Sequence, residues 1–181
     1  MLLPSGAPQE TIPFLAEHGL QTASPLHRRS DLRFVGGWSE SLVASQEYDL
    51  HLRLALAGCW DRIAVVDDHL AVWSIQSGSV SSNDHRVYRS KATALSDLIA
   101  AYPERELQPL ATALANTGRH LARVRDPSSI DAIRFAKATD PAALSAFPTR
   151  TRWITVPLLL VQAEFIDHVV SRAIKRLFRK R

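Results

Sequence analysis

The chain of 181 residues has a single cysteine, Cys59. That excludes an intrachain disulfide and a cysteine zinc cluster, and it is compatible with a reducing compartment. Its histidines stand singly, with no His-x-x-x-His or His-x-x-Glu-His spacing, so no metal pair on one helical face is encoded. Ser79, Ser81 and Ser82 lack a Gly-x-Ser-x-Gly setting, which excludes a hydrolase nucleophile elbow. There is no run of about 18 uncharged apolar residues, so no segment reads as membrane-spanning. The opening MLLPSGAPQE has neither a basic stretch nor a long apolar core and does not read as a signal peptide. Internal repeats and low-complexity tracts are absent as well.

What is present is ordinary globular composition, 46% apolar and 22% charged, enough for one domain and an appendage. The net charge of +4 is unevenly placed. Arg172, Lys175, Arg176, Arg179, Lys180 and Arg181 put six bases and no acid into the last ten residues, which leaves −2 for the rest. A nucleic-acid domain spreads its bases through the fold, so no nucleic-acid partner is expected. A basic tail on a near-neutral body suits an anionic membrane surface.

Punctuation by glycine and proline divides the chain into segments. Glu10–Leu20 reads as a short helix ending at Gly19, and Ser30–Val35 as a helical turn stopped by Gly36-Gly37. Gln46–Ala57 reads as a helix closed by Gly58. Thr22–His27, Ile63–Val66 and Leu70–Ile75 read as strands. Tyr88–Tyr102, Glu104–Asn116 and Ser129–Ala138 are Ala- and Leu-rich helical segments separated by Pro103, Pro127 and Pro141, since proline removes a donor and clashes with the preceding turn. Thr149–Arg181 reads as one long helix.

The most informative stretch is Gly36-Gly37-Trp38-Ser39-Glu40-Ser41-Leu42, followed by Gln46-Glu47-Tyr48-Asp49-Leu50-His51-Leu52-Arg53-Leu54. Two glycines permit a tight turn with positive φ. Glu47 and Asp49 fall in the first helical turn, where the helix dipole favours negative charge. Asp49 precedes Arg53 by four residues, the favourable order for a helical ion pair. The remainder of the helix is apolar on nearly all sides and is therefore expected to be buried. An acidic helix start at the mouth of a buried helix can present a carboxylate to a cleft. The same acids can also serve only as dipole partners.

These two runs resemble the acceptor-side segment of the family 2 glycosyltransferases, with Ser24–Arg29 before them and Asp68–Trp73 and Ser77–Ser81 after them. The resemblance covers roughly residues 10–83. It implies an α/β class: a partial GT-A-like, Rossmann-like half-domain with few strands over residues 1–84. A helical extension over 85–148 and a long amphipathic basic helix over 149–181 would follow. The implied function is transfer of a sugar from a nucleotide-sugar donor to a glycan or lipid-linked acceptor. Glu47 would be the general base that takes the acceptor hydroxyl proton. Trp38, Glu40, Gln46, Asp49 and Arg53 would line or support the acceptor site.

The sequence also departs from the family pattern. The Arg and His that the family places beside the leaving diphosphate correspond to Ser74 and Gln76, so Gln76, Ser79 and His85 are the candidates for the diphosphate side. No Asp-x-Asp occurs, and no nucleotide-binding run precedes Gly36. The expectation is therefore a truncated enzyme whose divalent metal, Mg or Mn, would come with the missing donor half.

At the C-terminal end, Phe165, Ile166, Val169, Val170, Ala173, Ile174, Leu177 and Phe178 form one apolar stripe, with Arg172, Lys175, Arg176, Arg179 and Lys180 beside it. Such a helix packs on its own domain or lies in a membrane interface. The expected location is cytoplasmic, peripheral on the inner face of the membrane. The alternative reading of the whole chain is a non-catalytic helical remnant that binds a membrane or a partner.

Overall fold

A computed structural model describes residues 8–20, 25–62, 78–79, 82–103 and 107–147, together with Gln162, Phe165, Ile166, Val169 and Val170. Their regular elements are the helices α1 (Pro8–Glu17), α2 (Arg29–Phe34), α3 (Gln46–Leu56), α4 (Asp84–Ala101), α5 (Gln108–Arg123) and α6 (Ser128–Thr139). Single 3-10 segments lie at Cys59–Arg62 and Pro141–Ala146. No strand occurs among the described residues.

The α/β half-domain expected from the sequence is therefore corrected to an all-α class. Pro25–His27, read as the end of a strand, have no regular structure; Pro25 cannot donate to a ladder. The other two expected strands, Ile63–Val66 and Leu70–Ile75, lie outside the described residues, as does most of Thr149–Arg181.

The chain forms two compact units, Met1–Arg105 and Glu106–Arg181. In the first, α3 is the core. Tyr48 through Leu52 and Leu54 through Leu56 are all buried, and Leu50, Leu52 and Leu54 are at most 1% exposed. Each such leucine contributes about 1.5–3 kcal/mol of burial. Helix α1 packs on α3 through Leu15 and Ala16, and the Tyr48 hydroxyl donates to the Ala16 carbonyl at 2.7 Å. On the far side, α4 offers Ser90, Ala92, Ala94, Leu95, Leu98 and Ile99 as its buried face. Its start is capped by Asn83, whose side-chain oxygen accepts from the Arg86 amide at 3.0 Å.

In the second unit, α5 and α6 form a close antiparallel pair joined by a short turn. The pairing relies on small residues: Ala111, Ala115, Gly118 and Ala122 on α5 and Ala132 and Ala136 on α6 are buried. The turn is stabilised by Asp126, whose carboxylate accepts from the Ser128 amide at 2.9 Å and the Ser128 hydroxyl at 2.6 Å. Phe147 closes the base of the pair at 2% exposure, with the Arg119 guanidinium 5.6 Å from its ring centre.

Candidate functional site

Helix α2 ends in two consecutive left-handed glycines, Gly36 at φ +81 and Gly37 at φ +71. A residue with a Cβ is strained in both places. The Gly37 amide donates back to the Leu32 carbonyl at 2.8 Å, which closes the helix and reverses the chain. Trp38 follows at 47% exposure, and Glu40 is exposed in the next turn.

Arg53 joins this turn to α3. Its guanidinium donates to the Gly37 carbonyl at 2.7 Å and also to the Val35 carbonyl. From the other side, Asp49 Oδ2 accepts from Arg53 Nε at 2.9 Å and from Nη2 at 2.6 Å. Asp49 is buried, and a buried carboxylate left without this partner would carry a large desolvation penalty. Asp49 and Arg53 are thus a structural pair that fixes the Gly-Gly-Trp turn on the helix.

Glu47 is the second residue of α3 and is half-buried. Ser45, at the helix start, is itself left-handed at φ 56 and caps nothing with its side chain. Instead its hydroxyl donates to the Val87 carbonyl at 3.3 Å, which brings the first turns of α3 and α4 together. Gln46 Nε2 donates to the Leu42 carbonyl at 2.8 Å, so its amide braces the incoming loop. His85 lies exposed in the first turn of α4, and Ser79 is exposed in the loop before it. The Ser79 carbonyl accepts from the Ser82 hydroxyl at 2.6 Å.

One member of this region escaped the sequence reading. Lys91, on α4, places its ammonium 4.6 Å from the centre of the Tyr48 ring. Burial holds its pKa below the usual lysine range, and the charge of Glu47 opposes that shift. No spacing rule connects Glu47 with Lys91, which lies on the next helix. A second missed feature is His51, which is 1% exposed. Its ring lies 5.2 Å from that of His27 and edge-on to Trp60 at 5.9 Å, and neither ring nitrogen has a hydrogen-bond partner among the described residues. Burial, with a smaller contribution from His27, pushes its pKa down to about 4.

Gln76 and the tail bases Arg172, Lys175, Arg176, Arg179 and Lys180 lie outside the described residues. Among the described residues, no group of three or more His, Cys, Asp and Glu side chains is placed to hold a metal ion. No described helix is long and apolar enough to cross a membrane. No protein-family model, no curated protein and no solved structure matches the chain.

Proposed function

We propose that the joined starts of α3 and α4 are the acceptor side of a sugar-transfer site. In this reading the Glu47 carboxylate takes the proton of an acceptor hydroxyl as that oxygen attacks the anomeric carbon of a nucleotide-sugar. Trp38 offers an aromatic face to the acceptor ring. The observation that supports this most is the Arg53 clamp. It makes the Gly-Gly-Trp turn and the helix carrying Glu47 one rigid piece, and a general base works only when held within hydrogen-bond reach of its proton.

The test measures acceptor binding with the full chain and glycan and lipid-linked acceptors, and transfer with a donor-binding half, Mg or Mn and a panel of nucleotide-sugars supplied to it. The expected result is that Trp38→Ala weakens acceptor binding. Glu47→Gln should keep acceptor binding within about twofold while slowing transfer by roughly 100-fold or more, the usual range for loss of a general base. Transfer at the parent rate by Glu47→Gln, or no acceptor bound by the parent chain, would overturn the reading.

A second reading, a peripheral station on the cytoplasmic face of a membrane, draws on Ile166, Val169 and Val170. These helical residues are 48–61% exposed and immediately precede the six-base tail. Their neighbour Phe165 has the Arg125 guanidinium 4.0 Å from its ring centre. Apolar insertion and about 1 kcal/mol per basic residue act together at an anionic surface. Deleting Ile174–Arg181 is expected to shift the protein from the liposome pellet to the supernatant; an unchanged distribution would exclude this location.

A further inference from the structure

His51 sits on α3 and His27 just ahead of α2, both within the first unit. Their ring centres are 5.2 Å apart, with the planes inclined by 39°. His51 is 1% exposed, and among the described residues neither of its ring nitrogens has a hydrogen-bond partner. The two imidazoles are therefore not joined by an N–H···N bond. A buried polar atom left without a partner carries its full desolvation penalty, and such an atom in a fold calls for a reason. Packing does not supply one. Trp60 meets the His51 ring edge-on at 5.9 Å, and an apolar side chain would fill that space without the penalty. A shared metal ion does supply one. Two imidazoles bound to one tetrahedral ion through bonds of about 2.0–2.1 Å hold their ring centres about 5 Å apart. Burial lowers the pKa of both rings, to about 4 for His51, while the Asp31 charge opposes the shift at His27. Both rings are thus neutral at pH 7, the form that ligates a metal. His27 is only half-buried, which leaves a path by which an ion can enter.

We propose that His27 and His51 bind a zinc ion between them, each through one ring nitrogen, with water completing the coordination. Among the described residues no third His, Cys, Asp or Glu joins the pair in a metal-holding group, so the site is open and its ion exchangeable. It differs from the Mg or Mn expected with a donor half, because imidazole suits zinc whereas carboxylate and water suit those harder ions. The proposal is independent of the role given to Glu47. Sequence spacing hides the pair, since its two members come from different elements and stand 24 residues apart.

The experiment titrates the untagged full chain with zinc chloride at pH 7, read by calorimetry, with magnesium chloride as the control ion. The parent chain is expected to bind zinc and to bind magnesium at least tenfold more weakly. His27→Ala and His51→Leu should each weaken zinc at least tenfold. His18→Ala, which removes an exposed histidine beside Glu17, should alter it less than threefold. His27 precedes its helix and is half-buried, so His27→Ala should fold even where a core change does not, and circular dichroism checks this directly. Histidine ring signals in the NMR spectrum of the parent chain give a second readout: those of His27 and His51 should shift together as zinc is added. Zinc not bound by the parent chain, zinc bound within threefold of the parent affinity by His27→Ala, an equal loss with His18→Ala, or ring shifts confined to other histidines overturns the proposal. Each of these results leaves the Glu47 reading standing, since no sugar transfer enters the measurement.

Discussion

Arg53 and Gly37 are sixteen residues apart in sequence, yet an Arg53 guanidinium nitrogen lies 2.7 Å from the Gly37 carbonyl oxygen. The same group holds Val35 and Asp49, so one side chain fixes where the Gly-Gly-Trp turn sits on α3. Lysine reaches Asp49 with one ammonium but cannot also satisfy both carbonyls in a planar fork. Arg53→Lys is expected to cost about 1–3 kcal/mol, measured by urea denaturation, and to weaken acceptor binding along with Trp38→Ala. A variant as stable as the parent would show that the turn is held by other contacts.

The Tyr48 hydroxyl and the Ala16 carbonyl form a polar link between α3 and α1. The phenol is buried and its pKa is raised by that burial, so the group stays neutral and donates at every working pH. Tyr48→Phe keeps the ring under the Lys91 ammonium and removes only the donor. The expected loss is about 1 kcal/mol. Hydrogen exchange should quicken in α1 more than in α4, and uniform quickening across the first unit would argue against a local link.

How far the sequence shows this arrangement depends on the reach of each contact. The Gly36-Gly37 stop, the buried α3 and the Asp49–Arg53 pair follow from local rules, because turn chemistry and i,i+4 spacing act within a few residues. The proline-separated helices α4, α5 and α6 follow for the same reason. The class does not. The α/β expectation rested on β-branched runs and on a resemblance, whereas the elements described are helical throughout. Long-range contacts are equally silent in sequence. Nothing local shows that Arg53 turns back to Val35 and Gly37, that Lys91 meets Tyr48, or that His51 packs between His27 and Trp60.

Gly118 shows the closeness of the α5 and α6 pair. A Cβ there would lie 2.7 Å from Ile133 Cγ1 and 3.4 Å from both the Ile133 amide nitrogen and the Ser129 carbonyl oxygen. Alanine has a helix propensity about 1 kcal/mol better than glycine, which favours Gly118→Ala if the site is open. Ile133 is fully buried and has little room to move, and overpacking a tight core costs about 1–3 kcal/mol. The steric term is expected to win. Gly118→Ala should lower the stability of the second unit, while Gly118→Ala with Ile133→Val should recover part of it, because that change trims the side chain that the new methyl meets. Stabilisation by the single variant would mean that the helices slide apart without cost.

The buried His51 ties stability to pH. Its pKa is pushed down to about 4 in the folded chain, against about 6.5 for an exposed imidazole. Between these values the unfolded chain binds the proton and the folded chain does not, so protonation favours unfolding. Stability is then fully present above about pH 6.5 and declines as the pH falls toward 4. His27, also shifted down by burial though opposed by Asp31, acts in the same direction, and two imidazolium rings 5.2 Å apart would repel. The melting temperature of the parent chain should therefore fall between pH 6.5 and 4. His51→Leu should flatten that slope and raise stability at pH 7 by about 1 kcal/mol, because it removes two buried nitrogens that have no partner. A leucine variant that keeps the full acid slope would assign the sensitivity to other groups, and one that loses stability at pH 7 would show that ring packing against Trp60 outweighs the unpaired nitrogens.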